Sequence, residues 1–329
     1  MSRGRPGTAP PYDSRVTREE WLLERTFTGA DIDPDALAAR KAATGTTVSV
    51  VLPALNVAET LGSIVETVRT SWMGPGGLVD ELVVIDSASS DGTARIATEA
   101  GAIVVQDHEV LADLGTRRGK GEAMWKSLAA TSGDIVAWID GDIEAFDAAF
   151  VPGLLAPLVH DETIGYVKAY YRRPLGESAD DGGRVTEICA RPLINRFFPD
   201  LAGFVQPLSG EAAGRRSLLE AVPFFCGYAV EIGLLIDILR TAGLDAMAQV
   251  DLGERRHRNQ PTPALGRMAY EITHAMLART DVDDAEAGPP DEYVRPVRGD
   301  AGALTLERSE VSLGERPPMA GVARGAAAT

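Results

Sequence analysis

The chain has 329 residues, 45% hydrophobic and 24% charged, with a formal net charge of −16. That length suffices for one large domain or two small ones with an unstapled core, and the acidity argues against nonspecific binding to nucleic acid or an anionic membrane. No run of about 18 apolar residues occurs, which excludes a membrane-spanning helix, and two cysteines, Cys189 and Cys226, cannot make a disulfide framework. Residues 1–12 lack a signal-peptide pattern, so the expected location is cytoplasmic.

Residues 1–45 read as an N-terminal helical extension, in which Thr17-Arg-Glu-Glu20 has capping-box spacing ahead of Trp21-Leu-Leu23. From 46 to 160, short apolar strands alternate with helices. Thr47–Leu52, Glu81–Ile85, Ala102–Gln106 and Asp134–Ile139 are the strands; stretches at 59–70, 92–101 and 121–130 are helical. Continuously apolar strands alternating with helices predict a parallel sheet covered on both faces, with ligands beyond the carboxyl ends of its strands. Residues 161–280 are less regular: a strand at 165–171, helices at 185–197, 227–239 and 268–277, and a strand at 245–250. From 281 to 329 the composition turns to Pro, Gly, Ala and acidic residues, which predicts a flexible tail.

The strand exits carry the candidate chemistry. Asp140-Gly-Asp142 leaves an apolar strand, where residues i and i+2 point the same way. Two such carboxylates suit a hard divalent cation, magnesium or manganese, with positions left for diphosphate oxygens. Pro53-Ala-Leu-Asn56 and Asp86-Ser87 are earlier exits that can face a planar base or a ribose, although turn chemistry alone explains both. Arg117-Arg-Gly-Lys120-Gly places a lysine between glycines at a helix start, a setting that suits phosphate. Arg255-Arg-His-Arg-Asn259 is the other dense basic run; His257 can complete a metal site and its arginines can neutralise phosphate. In an acidic chain such local clusters still act, because charges beyond about 8 Å are screened. Glu231, in the apolar helix opened by Gly227-Tyr228, needs a partner if buried, either a sugar hydroxyl or a structural group. Gly182-Gly-Arg184-Val-Thr186 is a glycine-rich helix entry suited to an anionic acceptor.

Taken in order, several blocks resemble the glucosyl-3-phosphoglycerate synthase family over about residues 46–280. They are Leu52-Pro-Ala-Leu-Asn56, Asp86-Ser87, Arg118-Gly-Lys-Gly-Glu-Ala123, Ser127-Leu-Ala-Ala-Thr-Ser-Gly-Asp134 and Asp140-Gly-Asp142. Tyr171-Arg-Arg-Pro-Leu175, Gly183-Arg-Val-Thr-Glu187, Gln206-Pro-Leu-Ser-Gly-Glu211, Gly227-Tyr-Ala-Val-Glu-Ile-Gly233 and His257-Arg-Asn259 continue the series. The resemblance implies an α/β fold of the GT-A type, a Rossmann-like nucleotide-sugar-binding sheet in residues 46–160 with a smaller acceptor-binding and dimerisation part in 161–280. It implies a homodimer that moves glucose from UDP-glucose to 3-phosphoglycerate with retained configuration, aided by Mg2+ or Mn2+.

By the same resemblance, Pro53, Ala54, Leu55, Ser87, Lys120, Asp140, Tyr228 and Arg255 belong to the nucleotide-sugar site. Glu231 falls on the glucose hydroxyls, Leu208 near the reacting centre, and Asp142 and His257 on the metal. Gly183, Arg184, Thr186 and Asn259 fall in the acceptor pocket. Glu231, Asp142, Lys120 and Leu208 are the candidate catalytic set. Where family members usually carry acidic residues after the Pro-Ala-Leu-Asn element, this chain has Val57 and Ala58. Two alternatives stand beside this reading: mannosyl transfer from GDP-mannose, and a catalytically silent nucleotide-sugar-binding protein.

Overall fold

In a computed structural model, the described residues are 16–172, 183–255, 261–280, 292–298 and 304–322, with backbone alone for 292–298 and 304–307. Eight strands form one sheet: β1 (Thr26–Thr28), β2 (Val48–Ala54), β3 (Glu81–Asp86), β4 (Ile103–Gln106), β5 (Ile135–Trp138), β6 (Tyr166–Arg172), β7 (Ala212–Arg215) and, after a short β8 (Phe224–Phe225) outside it, β9 (Met247–Glu254). Their spatial order is β1-β9-β6-β7-β5-β2-β3-β4. Every neighbouring pair is parallel except those made by β7, which runs antiparallel to both β5 and β6.

The strands read as continuous apolar runs because both faces of the sheet are covered. Val51, Val83, Ile85, Val136 and Trp138 point into one buried cluster. Their alternates Val50, Leu52, Val84, Ile135 and Ala137 point into the other. Helices α3 (Ala58–Trp72) and α6 (Phe150–His160) cover the second face; α5 (Lys120–Ala130), α9 (Val230–Ala242) and α10 (Thr262–Leu277) cover the first. The expected N-terminal cap is present, in α1 (Arg18–Glu24): Glu20 N donates to Thr17 Oγ1 at 3.2 Å and Thr17 N donates back to Glu20 Oε2 at 2.8 Å.

The structure departs from the sequence expectations in three places. Strand β7 was not legible, since Ala-Ala-Gly-Arg has neither alternation nor branched side chains; it forms because both its edges are hydrogen-bonded in the middle of the sheet. The helical stretch after 183 opens with a π-helical turn, Thr186–Ala190, before α7 (Arg191–Phe197). The flexible tail expected from 281 onward does not extend through residues 311–322. There a short β12 (Glu315–Arg316) pairs with β8, and Arg316, only 7% exposed, donates to both oxygens of the fully buried Glu122 at 2.7 and 2.8 Å. Trp125 Nε1 donates to Pro317 O at 2.8 Å, so the segment is tied down by specific bonds rather than by apolar patterning. Between β9 and this strap, the backbone of β10 (Glu292–Arg298) and β11 (Leu304–Glu310) pairs as an antiparallel hairpin. Among the described residues, no helix is long and apolar enough to cross a membrane.

Candidate active site

The carboxyl ends of β2, β3 and β5 open on the same edge, and their loops are bonded to one another. Ser87 N donates to Ala54 O at 2.9 Å, Asn56 N to Ser89 Oγ at 2.9 Å, and Ser90 N to Asn56 Oδ1 at 2.9 Å. Asn56 and Ala88 hold left-handed backbone angles, φ 54° and 58°, which turn each loop sharply as it leaves its strand. Pro53 and Ala54 end β2 and Leu55 is half exposed, with Ser87 beside them. Asp86 is buried; one of its oxygens accepts from Gln106 Nε2 at 3.0 Å, while the other has no partner among the described residues.

The loop after β5 reaches this pair through Gly141. A Cβ there would lie 3.2 Å from Val57, 3.3 Å from Leu61 and 3.4 Å from Pro53 O, so a side chain would require these neighbours to give by a few tenths of an ångström. Thr60 Oγ1 clamps the same peptide by donating to Gly141 O at 2.6 Å.

Beyond it lies a network of charges. Lys120, the first residue of α5, has its Nζ 2.5 Å from Asp140 Oδ1, 3.0 Å from Glu231 Oε1 and 3.1 Å from Gly210 O. Arg255, just past β9, donates from Nη2 to Asp140 Oδ2 at 3.1 Å and to Asp142 Oδ1 at 3.0 Å. From Nη1 it reaches Glu211 Oε1 at 2.8 Å and Tyr171 Oη at 2.7 Å. The antiparallel course of β7 makes this possible: its entry, at Gly210 and Glu211, lies beside the exits of β5 and β6. At Gly210 a Cβ would fall 2.0 Å from Asp140 Oδ2, so a residue larger than glycine would push that carboxylate out of place.

Burial favours the neutral forms of these groups, and their mutual charges oppose it. For Asp140, burial is overcome by Lys120 and Arg255, which hold the carboxyl far below the usual range. For Lys120, burial is likewise overcome, by Asp140 and Glu231, and the ammonium is held above the ordinary lysine range. Burial leaves the Glu211 carboxyl above its ordinary range against the pull of Arg255.

The network gathers five of the residues expected from the sequence: Lys120, Asp140, Asp142, Arg255 and Glu231. Arg255 is not the exposed cation that its basic run suggests; its side chain is 5% exposed and ringed by carboxylates, although its Nε has no partner among the described residues. Asp142 is the opposite case, with a side chain 63% exposed. Tyr228 is 43% exposed at the entry to α9, its N–H donated to the buried Glu271 at 2.9 Å. Leu208 is half-buried in the loop that leads to Gly210 and packs on the core.

Gly183 and Thr186 line a separate cavity of about 410 Å³ with Tyr170, Tyr171, Arg172 and Gln206, and Arg184 sits between the two glycine-loop positions, partly buried. This cavity shares Tyr171 with the charge network. His257 and Asn259 lie outside the described residues. Among the described residues no three His, Cys, Asp or Glu side chains group as a metal site. Asp142 nonetheless fits a hard cation: among the described residues only its Oδ1 is engaged, by Arg255, and its exposure leaves room for phosphate oxygens and water in the remaining positions. Sequence reasoning gave no role to Glu211 or Tyr171; the signal available was an acidic residue set between two small ones, Gly210 and Ala212, ahead of a segment too weak to read as a strand.

A mostly parallel sheet with cross-bonded loops at its strand exits and an Asp-Gly-Asp turn beside a half-buried lysine defines a glycosyltransferase of the GT-A fold. The family model described as glycosyl transferase family 2 matches residues 49–223. The glucosyl-3-phosphoglycerate synthase of Mycolicibacterium smegmatis is 46% identical over 91% of this chain and 97% of its own length. That of Mycobacterium tuberculosis is 44% identical over 97% of this chain and 95% of its own. The crystal structure of the latter, in complex with Mn2+, UDP-glucose and phosphoglyceric acid, superposes with a TM-score of 0.77, covering 88% of this chain and 95% of that one. The crystal structure of mannosyl-3-phosphoglycerate synthase from Rubrobacter xylanophilus, 41% identical, superposes with a TM-score of 0.86 over 92% of this chain and 99% of that one. The chain belongs to the glucosyl-3-phosphoglycerate synthase family.

Proposed function

We propose that this protein transfers glucose from UDP-glucose to 3-phosphoglycerate in the cytoplasm, as a homodimer, with retention at the anomeric carbon. Residues 46–160 serve as the nucleotide-sugar half and 161–280 as the acceptor half. The observation that carries the reading is the bonded convergence of Lys120, Asp140, Arg255, Asp142 and Glu231 at the strand exits. Pro53, Ala54, Leu55 and Ser87 face the uridine, with Tyr228 across from them at the entry to α9. Glu231 accepts from glucose hydroxyls, and Leu208 borders the reacting centre. Gly183, Arg184, Thr186 and Asn259 take the acceptor, whose carboxylate and phosphate suit a glycine-rich helix entry.

Asp142 and His257 would hold the divalent cation, which when bound supplies Lewis-acid neutralisation of the diphosphate. Lys120 contributes a fixed positive charge to the same leaving group without needing to reorganise, because Asp140 and Gly210 already orient it. In the transfer, the bond from the anomeric carbon to the diphosphate oxygen breaks. A bond to the acceptor hydroxyl forms on the same face, and the hydroxyl proton passes to the departing phosphate. Glu231 is a poor candidate for a covalent nucleophile, since its Oε1 is already paired with Lys120 at 3.0 Å. Trapping a glycosyl adduct on Glu231 would overturn same-face substitution.

One observation favours a second reading. The mannosyl enzyme of Rubrobacter xylanophilus shares the fold at a TM-score of 0.86, and a GDP-mannose donor therefore stands as the rival; the relatives at 44 and 46% identity are named for glucosyl transfer. Release of nucleoside diphosphate from UDP-glucose and from GDP-mannose, with phosphoglycerate and with or without magnesium, decides between them. Metal-stimulated turnover with UDP-glucose is the expected result; preference for GDP-mannose supports the rival, and no turnover with either donor supports a silent binding protein. Arg184→Ala should raise the KM for 3-phosphoglycerate far more than that for UDP-glucose, and an equal rise in both would remove Arg184 from the acceptor pocket.

A further inference from the structure

Among the buried and half-buried lysines of this chain, one stands apart. Lys41 is paired with Asp80 at 2.8 Å; Lys126 donates to Asp107 O at 2.6 Å and Thr116 Oγ1 at 2.9 Å; Lys120 has the three partners described above. Lys168, in the middle of β6 and 1% exposed, has no hydrogen bond or ion pair among the described residues. Two positions before it on the same face of the strand, Tyr166 is fully buried and its hydroxyl is also without a partner. An unpaired ammonium in a protein interior costs several kcal/mol, and an unpaired hydroxyl adds to that. Two such groups side by side on one face of β6 mark a place that another component completes.

Their position says which. β6 lies between β7 and β9, with Lys168 level with Ala212 and Gln249, one residue from Glu211. Tyr166 packs in the same cluster as Val230 and Ile232, the neighbours of Glu231 on α9. Glu231 has Oε1 on Lys120, and its Oε2 has no bond among the described residues. Of the charged groups acting on Lys168, Glu231 comes first, followed by Lys120, Glu211 and Asp140; Glu231 also leads those acting on Tyr166. Around this point three cations, Lys120, Lys168 and Arg255, face four carboxylates, Asp140, Asp142, Glu211 and Glu231. With Lys120 and the Asp142 cation turned to the diphosphate, Lys168 is left opposite the Glu231 carboxylate, and this end of the cluster suits a neutral hydroxylated ligand.

We propose that Lys168, with the Tyr166 hydroxyl, is a positioning residue for the donor sugar: it steadies the Glu231 carboxylate from the sheet side, so that Glu231 presents its free oxygen to a hexose hydroxyl. This deepens the reading of Glu231 as the sugar acceptor and rests on it. Lys120 holds Glu231 from α5 by an ion pair at 3.0 Å; Lys168 acts on it from β6 through its charge, without a direct ion pair. Neither Lys168 nor Tyr166 contacts the nucleotide, so their contribution belongs to the hexose alone.

The test separates sugar from nucleotide. Calorimetric titration of the whole protein with UDP-glucose and, separately, with UDP should show Lys168→Met weakening UDP-glucose about tenfold while UDP binding stays within twofold of wild type. Tyr166→Phe, which removes one oxygen and should fold even if the lysine variant does not, is expected to weaken UDP-glucose about threefold with UDP unchanged. In a Glu231→Gln background the Lys168→Met change should add less than twofold, because the two act through one carboxylate. Equal loss of both ligands in Tyr166→Phe and Lys168→Met, or no loss of either, overturns the proposal. UDP binding by the wild type keeps the nucleotide-sugar reading intact whichever way Lys168 falls; a wild type that binds neither ligand overturns that reading instead.

Discussion

Arg255 holds Asp142 by a single bond, Nη2 to Oδ1 at 3.0 Å, while the rest of the Asp142 side chain stays open to solvent. A residue so placed contributes little to the fold, since exposed ion pairs are worth at most about 1 kcal/mol. Asp142→Ala should therefore leave the melting temperature within about 2 °C of wild type and lower turnover by a factor of roughly 100 or more. Parallel thermal melts and UDP-release assays check this. Turnover near the wild-type rate would remove Asp142 from the cation site.

Glu211 is the counterpart on the buried side. It is fully buried, 2.8 Å from the Arg255 guanidinium and 2.8 Å from the Tyr171 hydroxyl. Glu211→Ala leaves a buried cation and a buried phenol short of their shared acceptor, which should cost about 3–5 kcal/mol in urea unfolding. Because Arg255 also positions Asp140 and Asp142, the same variant should weaken UDP-glucose binding. A stability loss below about 1 kcal/mol would show that Arg255 does not depend on Glu211.

The C-terminal strap makes a third prediction. Arg316 spans from Glu122 on α5 to Leu114 O and Gly115 O, at 3.0 and 2.8 Å, in the loop that leads to Lys120. Ser312 Oγ donates to Arg118 O at 2.9 Å, and Cys226 N donates to Gly314 O at 3.0 Å, so the strap joins the start of α5 to the loop before α9. Arg316→Ala should destabilise the protein by about 3 kcal/mol, because the buried Glu122 loses both guanidinium bonds and keeps only the Arg117 N–H at 3.1 Å, Lys126 at 3.5 Å and the weak Cys226 thiol contact at 3.7 Å, and should reduce UDP affinity by loosening Lys120. Wild-type melting behaviour in Arg316→Ala would mean that the strap is not bound in solution.

These three residues show where sequence reasoning stops. The strands β2, β3 and β5 were legible because apolar side chains on both faces leave an uninterrupted pattern, and Asp140-Gly-Asp142 was legible because it interrupts that pattern at a strand end. Glu211, Tyr171 and Arg316 carry no local pattern. Their importance comes from pairing across 44, 84 and 194 positions of chain, with Arg255 or Glu122 as the partner. The antiparallel insertion of β7 decides which carboxylate meets which cation, and Ala-Ala-Gly-Arg announces neither its strand state nor its direction. The tail was misjudged for a related reason: composition reports the lack of an apolar core, whereas Arg316 and Trp125 anchor the strap by bonds to buried groups.

Lys168 links the site to pH. Burial, only partly offset by Glu231, lowers its pKa to about 8, with Lys120 pushing it further down and Glu211 and Asp140 pulling it up. Below about pH 8 the lysine is protonated in both the folded and the unfolded chain, and the cost of burying its charge, on the order of 3 kcal/mol, is present in full. Between about pH 8 and the ordinary lysine range near 10.4, the unfolded chain binds the proton that the folded chain has lost, so folding stability rises with pH through this window. Lys168→Met lacks the term. Subtracting its urea-unfolding free energy from that of wild type cancels every other titration and leaves this one. The difference should move in favour of the wild type by about 2 kcal/mol between pH 7.5 and 9.5. A difference that stays flat across that interval would mean that the Lys168 ammonium keeps an ordinary affinity for its proton and has a partner in solution.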